Sequence, residues 1–163
     1  QADFGRVRQQ MEKVRNDPTT PDTRLSDNPN PFNPATIGTL AQLMLGGLQP
    51  RHGCPLHARV RYFDPQQQRS GMPEDVGALV EKLGPDSMTL TLVNTDQVEA
   101  RDVIVQAGAY GEHQFDSVVV KGEQVAVDDA AFRVELAPGA GSTLEIQMQR
   151  YANAPTFAFP WNR

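Results

Sequence analysis

The chain has 163 residues, 39% of them hydrophobic, with 15 basic and 20 acidic side chains for a formal net charge of -5. That length fits one domain, or one domain with an arm, and a domain of about 150 residues buries enough surface to need no disulfide staple. No apolar run reaches the roughly 18 residues of a membrane-spanning helix, and the dispersed Lys and Arg lack the cluster that nucleic-acid binding requires.

Residues 2 to 15 read as a helix. Phe4, Val7, Met11 and Val14 form a narrow apolar stripe, Asp3 is the N-cap, and Asn16-Asp17-Pro18 is the stop. A helix this short is marginal alone, so the stripe is expected to dock on another surface. Residues 17 to 34 form a strap stiffened by Pro18, Pro21, Pro29, Pro31 and Pro34. A second helix is expected over 34 to 45, capped by Asn33 and ended by Gly46 and Gly47. Its apolar residues Ile37, Leu40, Leu43, Met44 and Leu45 occupy more than one side, which suits burial between two layers or against a partner.

From residue 55 the period changes to two. Leu56, Ala58, Val60 and Tyr62 alternate with His57, Arg59 and Arg61, and a polar loop runs from Asp64 to about residue 72. Pro73-Glu74-Asp75 has helix-start chemistry, and Val76, Leu79, Val80 and Leu83 continue at helical spacing to Gly84-Pro85, which predicts a short helix over 74 to 83. Strands follow at residues 88 to 93, 100 to 107, 114 to 121, 124 to 127, 132 to 136 and 143 to 149. Strands at this spacing, without intervening helices, predict a mainly β chain. The expected fold is an antiparallel β-sandwich with two N-terminal helices, a proline-rich strap and one short helix. The expected division is 1 to 54, helices and strap, and 55 to 163, the sandwich with an aromatic tail over 151 to 161. Four aromatics in that tail predict that it is tied down.

Few residues point to chemistry. His52-Gly53-Cys54-Pro55-Leu56-His57 holds three soft-metal ligands, but the spacing matches no closed zinc site and no metal is expected. The better reading places His57 on a polar strand face and Cys54 as a small buried residue. Asp64, Glu74, Asp75 and the Asp128-Asp129 pair lack the calcium-loop pattern, and no nucleophile elbow, phosphate loop or dinucleotide fingerprint is present, so no cofactor is implied. The best candidate for a specific contact is Tyr110-Gly111-Glu112-His113, an aromatic, a carboxylate and an imidazole on a Gly-rich loop between strands. The competing reading has the glycines making a tight turn and Glu112 and His113 solvated.

Leu90-Thr91-Leu92-Val93-Asn94, Val103-Ile104-Val105-Gln106 and Val134-Glu135-Leu136-Ala137-Pro138-Gly139 with Leu144-Glu145-Ile146 resemble the C-terminal β-sandwich appended to large bacterial enzymes, notably carbohydrate-active ones. Asn33-Pro34-Ala35-Thr36-Ile37-Gly38, Arg61-Tyr62-Phe63-Asp64-Pro65 and Arg150-Tyr151-Ala152-Asn153 are similar to C-terminal regions of long bacterial proteins. Such appended domains normally supply no catalytic residue, and none is carried over.

Together these readings predict a non-catalytic accessory or interaction domain, the C-terminal part of a larger bacterial protein, and not an enzyme by itself. The missing initiator Met suits a processed chain or a piece of a longer one. The expected partner is another domain or subunit touching the 34 to 45 helix, the 17 to 34 strap and the 151 to 161 tail. Nucleic acid and a membrane span are not expected. Lone Cys54 does not fix the compartment, and an extracytoplasmic bacterial location is favoured. The alternative is a carbohydrate or other ligand module using Tyr110, Glu112, His113 and Trp161. A second alternative is an enzyme built on the Tyr110 to His113 loop.

Overall fold

A computed structural model describes residues 2–20, 38–47 and 57–162. Most of the strap, the cap at Asn33, and the His52 to Leu56 run lie outside the described residues. Two compact units are present, Gln1–Leu40 and Ala41–Arg163.

In the first unit, helix α1 spans Ala2–Arg15, and the chain leaves it at Asn16, as the Asp17-Pro18 signal predicts. Lys13 and Arg15 sit in its last turn, where cations offset the helix dipole. Val7 and Val14 of the expected stripe are half-buried, while Met11 is exposed.

Helix α2, Gly38–Leu45, leads into the second unit. Its Met44 and Leu45 pack on the main core, whereas Leu40 and Leu43 are exposed, so the helix is apolar on two sides. Gly46 ends it with φ +61° and donates its N–H to Gln42 O at 2.9 Å. The buried Tyr62 hydroxyl donates to Met44 O at 2.5 Å, and the Arg59 N–H to Leu45 O at 2.8 Å, which fixes the helix end to the sheet. Burial raises the Tyr62 phenol above its ordinary value, so this donor stays protonated.

Nine strands follow among the described residues. They are β1 Val60–Asp64, β2 Arg69–Ser70, β3 Val76–Leu83, β4 Ser87–Asn94, β5 Arg101–Ala107, β6 Gln114–Val120, β7 Glu123–Asp129, β8 Ala131–Leu136 and β9 Gly141–Gln149. They form two antiparallel sheets, ordered β2-β1-β5-β8 and β3-β4-β9-β6-β7. The mainly β, two-sheet fold is as the sequence predicts. Val60, Tyr62, Val103 and Val105 of the first sheet share one buried cluster with Leu90, Leu92, Leu144 and Ile146 of the second. The alternation Leu144, Ile146, Met148 against exposed Glu145, Gln147 and Gln149 shows the period of two directly.

One element corrects the sequence reading. Residues 74 to 83 are not a helix. Val76–Leu83 pairs along its length with β4, from Val76↔Asn94 to Leu83↔Met88. Val76, Ala78 and Val80 face inward by strand alternation, and a bulge between Val80 and Lys82 then breaks the phase. Leu79 and Leu83, which complete the helical spacing, are 40% and 51% exposed on this edge strand. Strand β2 is a second departure, since the sequence reads residues 64 to 72 as loop. There the buried Asp64 carboxylate accepts the N–H groups of Gln66 and Gln67, each at 3.1 Å, and shapes a hairpin that returns to pair Arg69 with Asp64.

Candidate functional site

The Tyr110 to His113 loop leaves the end of β5 and enters β6. Its geometry is set by Glu112, which is buried. One carboxylate oxygen accepts the Ala109 N–H at 3.2 Å and the other the Tyr110 N–H at 2.7 Å. The carboxylate curls back over Gly108, whose φ of +84° suits glycine. The loop is tight, as the competing sequence reading has it, yet Glu112 is enclosed and not solvated.

His113 is buried as well. Its Nδ1 accepts the Tyr151 N–H at 3.0 Å, so the neutral ring carries its proton on Nε2. Burial is the main cause that lowers its pKa below the ordinary 6.5, helped by Arg150 and Arg59 and opposed by Glu112. The Tyr151 ring stands edge-on to the imidazole at 4.8 Å.

The C-terminal segment is therefore strapped to this loop. The Asn153 N–H donates to Glu112 O at 3.2 Å, Asn153 Nδ2 to His113 O at 2.9 Å, and the Thr156 N–H to Tyr110 O at 2.9 Å. Further on, Phe159 and Trp161 stack 4.9 Å apart and both meet Phe63 edge-on. Phe63 points away from the main core, opposite to Tyr62, yet is only 2% exposed because this segment covers it. Burying one such ring contributes about 2 kcal/mol, enough to offset ordering one or two backbone residues. The hydrogen bonds to the loop are needed for the rest. The tail is tied down, as its aromatics predict.

The structure thus brings Tyr110, Glu112 and His113 together with Tyr151 and Asn153, while Trp161 belongs to the separate Phe63 group. Tyr110 meets Phe157 edge-on at 5.4 Å, and Phe157 is 90% exposed. Tyr151, at 65%, is a second open aromatic. A shallow pocket of about 350 Å³ next to His113 is lined by His57, Arg59, Glu112, Arg150 and Tyr151 among others. Arg59 is partly occupied, donating to Pro85 O at 2.7 Å and Gly84 O at 3.0 Å. With Glu112 bound to two backbone N–H groups and His113 Nδ1 held by Tyr151, neither matches a free general base. No cluster of three or more His, Cys, Asp or Glu suited to a metal ion occurs among the described residues. No helix among them is long and apolar enough to cross a membrane.

Two structural centres escape the sequence reading. Asn94 is buried, donating through Nδ2 to Glu99 O, Leu136 O and Ala137 O and accepting the Asp96 N–H. Arg101 joins Asp96 and Glu99 at 2.6 Å each and Asp75 at 3.5 Å. In sequence Asn94 reads as the start of a polar turn and Arg101 as a charged residue at the start of a strand. Asp96 and Glu99 are near neighbours of both, but the contacts that tie the turn to the rest of the fold, Leu136 O and Ala137 O for Asn94 and Asp75 for Arg101, are distant in sequence and carry no local signal.

No protein-family model, curated protein or solved structure matches this chain.

Proposed function

We propose that this chain is a non-catalytic β-sandwich interaction domain, an accessory part of a larger bacterial protein that docks on a neighbouring domain or subunit. The observation that carries this reading is the use made of the candidate loop. The Glu112 carboxylate is spent on shaping its own loop, while His113 Nδ1 and the backbone oxygens of Tyr110, Glu112 and His113 hold the C-terminal segment, which displays Phe157 and Tyr151 to solvent. Ordered, exposed aromatics on a tethered segment are hot-spot chemistry for a protein contact. The exposed Leu40 and Leu43 of α2 are of the same kind.

The test is site-specific photocrosslinking within the full-length protein. A photoreactive phenylalanine at position 157 gives a discrete adduct with a neighbouring domain or subunit, and one at the equally open Val98 does not. No adduct at 157 rejects the docking role for this segment.

Carbohydrate binding is the second reading, favoured by the exposed Phe157 ring beside half-buried Tyr110, since sugar rings stack on such faces. Retention on an immobilised glycan that Phe157→Ala abolishes would select it. Silence across a broad glycan panel removes it.

A further inference from the structure

The two sheets are unequal. The first ends at β8, and among the described residues nothing pairs with the outer side of that strand. The second carries one more strand, β7, on this side. A groove of about 660 Å³ runs between β8 and β7; its apolar lining includes Val120, Val125, Val127, Phe132, Val134 and Leu136, and charged residues such as Lys121 and Glu123 also border it. Val125, on β7, is 55% exposed although it faces this groove. Among the described residues, sheet β2-β1-β5-β8 has no strand that covers β7.

The open edge has a defined hydrogen-bond pattern. The Ala107 N–H donates to Ala130 O at 2.8 Å, and the β5–β8 register continues from Gln106↔Ala131 to Arg101↔Leu136. Hydrogen-bonded pairs alternate in an antiparallel ladder. So Phe132, Val134 and Leu136 direct their backbone groups to β5, and Ala131, Arg133 and Glu135 direct theirs outward. By strand alternation the side chains of Phe132, Val134 and Leu136 turn to the groove or core and those of exposed Arg133 and Glu135 to the other face, although both residues also border the groove. Glu135 lies directly opposite Asp102, a like-charge pairing that Arg133 relieves only from its own side, through its ion pair with Asp102.

We propose that β8 and this groove accept a single extended peptide segment of a partner protein, which adds antiparallel to β8 as the missing strand. Its backbone pairs with Ala131, Arg133 and Glu135. Apolar side chains at every second position enter the groove opposite Phe132, Val134 and Leu136. On the outer face a basic residue stands opposite Glu135 and an acidic one opposite Arg133. Because the strands are antiparallel, the guest reads apolar, basic, apolar, acidic, apolar from its N-terminus. A second copy of β8 is not the guest. A twofold pairing would set the second copy's five-stranded sheet on the side where β7 already stands. The site uses β8, separate from residues 110–113 and 151–161, so it stands or falls independently of the docking role of the aromatic segment.

The experiment uses the full chain and two synthetic peptides, one carrying Val-Lys-Val-Glu-Val and one carrying Val-Glu-Val-Lys-Val between identical polar ends. The first is expected to bind roughly tenfold more tightly. Its binding protects the amides of Arg133 and Glu135 from hydrogen exchange, while those of Phe132 and Val134 are protected already. The double variant Arg133→Glu with Glu135→Arg, both on the exposed face, is expected to reverse the preference. Val125→Glu, with the fold verified by its melting transition, is expected to abolish binding of both peptides. Equal affinity for both peptides, a preference unmoved by the double variant, no binding at all, or protection elsewhere than at Arg133 and Glu135 overturns the proposal.

Discussion

A Cβ on Gly108 would lie 2.4 Å from the carboxylate carbon of Glu112, closer than any real contact of that kind. The loop after β5 is shaped around a glycine, because the carboxylate that binds its N–H groups fills the space a side chain would take and the φ of +84° disfavours any other residue. Gly108→Ala is expected to cost about 2–3 kcal/mol, from the clash and the positive φ together. Chemical denaturation measures it. A loss under about 0.5 kcal/mol would mean that Glu112 does not hold the loop as described.

His113 makes stability depend on pH. Its folded pKa lies below the ordinary 6.5, mainly through burial, so the unfolded chain takes up its proton first as pH falls. The stabilisation is complete above about 6.5 and is lost as pH drops from there through the folded value. Protonated Nδ1 also can no longer accept the Tyr151 N–H. His113→Asn, whose side-chain oxygen stands near the position of Nδ1, is expected to flatten the fall in melting temperature between about pH 7 and pH 5. An unchanged slope would assign that dependence to other groups.

Asn94 joins the end of β4 to the 95 to 99 turn and to the end of β8. Asn94→Asp keeps the shape but replaces a donor to three carbonyls with an acceptor, inside a site where the residue is 1% exposed. The expected loss is about 3 kcal/mol at pH 7, from unsatisfied carbonyls facing a buried charge. Asn94→Ala should be less damaging than Asn94→Asp at that pH. The reverse order, read from denaturant midpoints, would contradict the donor role.

Asp96 contributes in the acid range. Its carboxylate accepts the N–H groups of Val98 and Glu99, which are the chief causes of a pKa below the ordinary 3.8, with Arg101 adding to them. A lowered carboxylate pKa gives stability that is present above the unfolded value and is lost as pH falls through the folded one. Asp96→Asn is therefore expected to be less stable than the parent at pH 7 and to converge with it as the pH falls below 3.8 through the lowered folded value. A constant difference across a pH series of melts would show that the charge plays no part.

Legibility in the sequence followed the range of the interactions. Alternation at Leu144 to Met148 and at Val103 to Val105 reports burial on one sheet face, a local property that the residues carry themselves. The 74 to 83 segment misled because two exposed leucines and a bulge imitate helical spacing. Propensity and period could not see that the segment pairs with β4. The Tyr110 to His113 loop was visible as a cluster, but its use was not. That use depends on Tyr151 and Asn153, about 40 residues away in the chain. The groove beside β8 was invisible for a related reason. It arises from the unequal number of strands in two sheets, and no single strand encodes that number.

The position of β9 has a consequence for how the chain reaches this state. It is the last strand in sequence, yet it lies in the interior of its sheet, between β4 and β6. During synthesis, β3–β4 and β6–β7 can form as hairpins, but each then waits with a bare edge until residues 141 to 149 emerge to join them. Closure of the sheet thus comes last and brings together segments made far apart in time. Ribosome stalling or premature termination before β9 would release a product with two unpaired sheet edges, a substrate for chaperones and proteases more than a partly working domain.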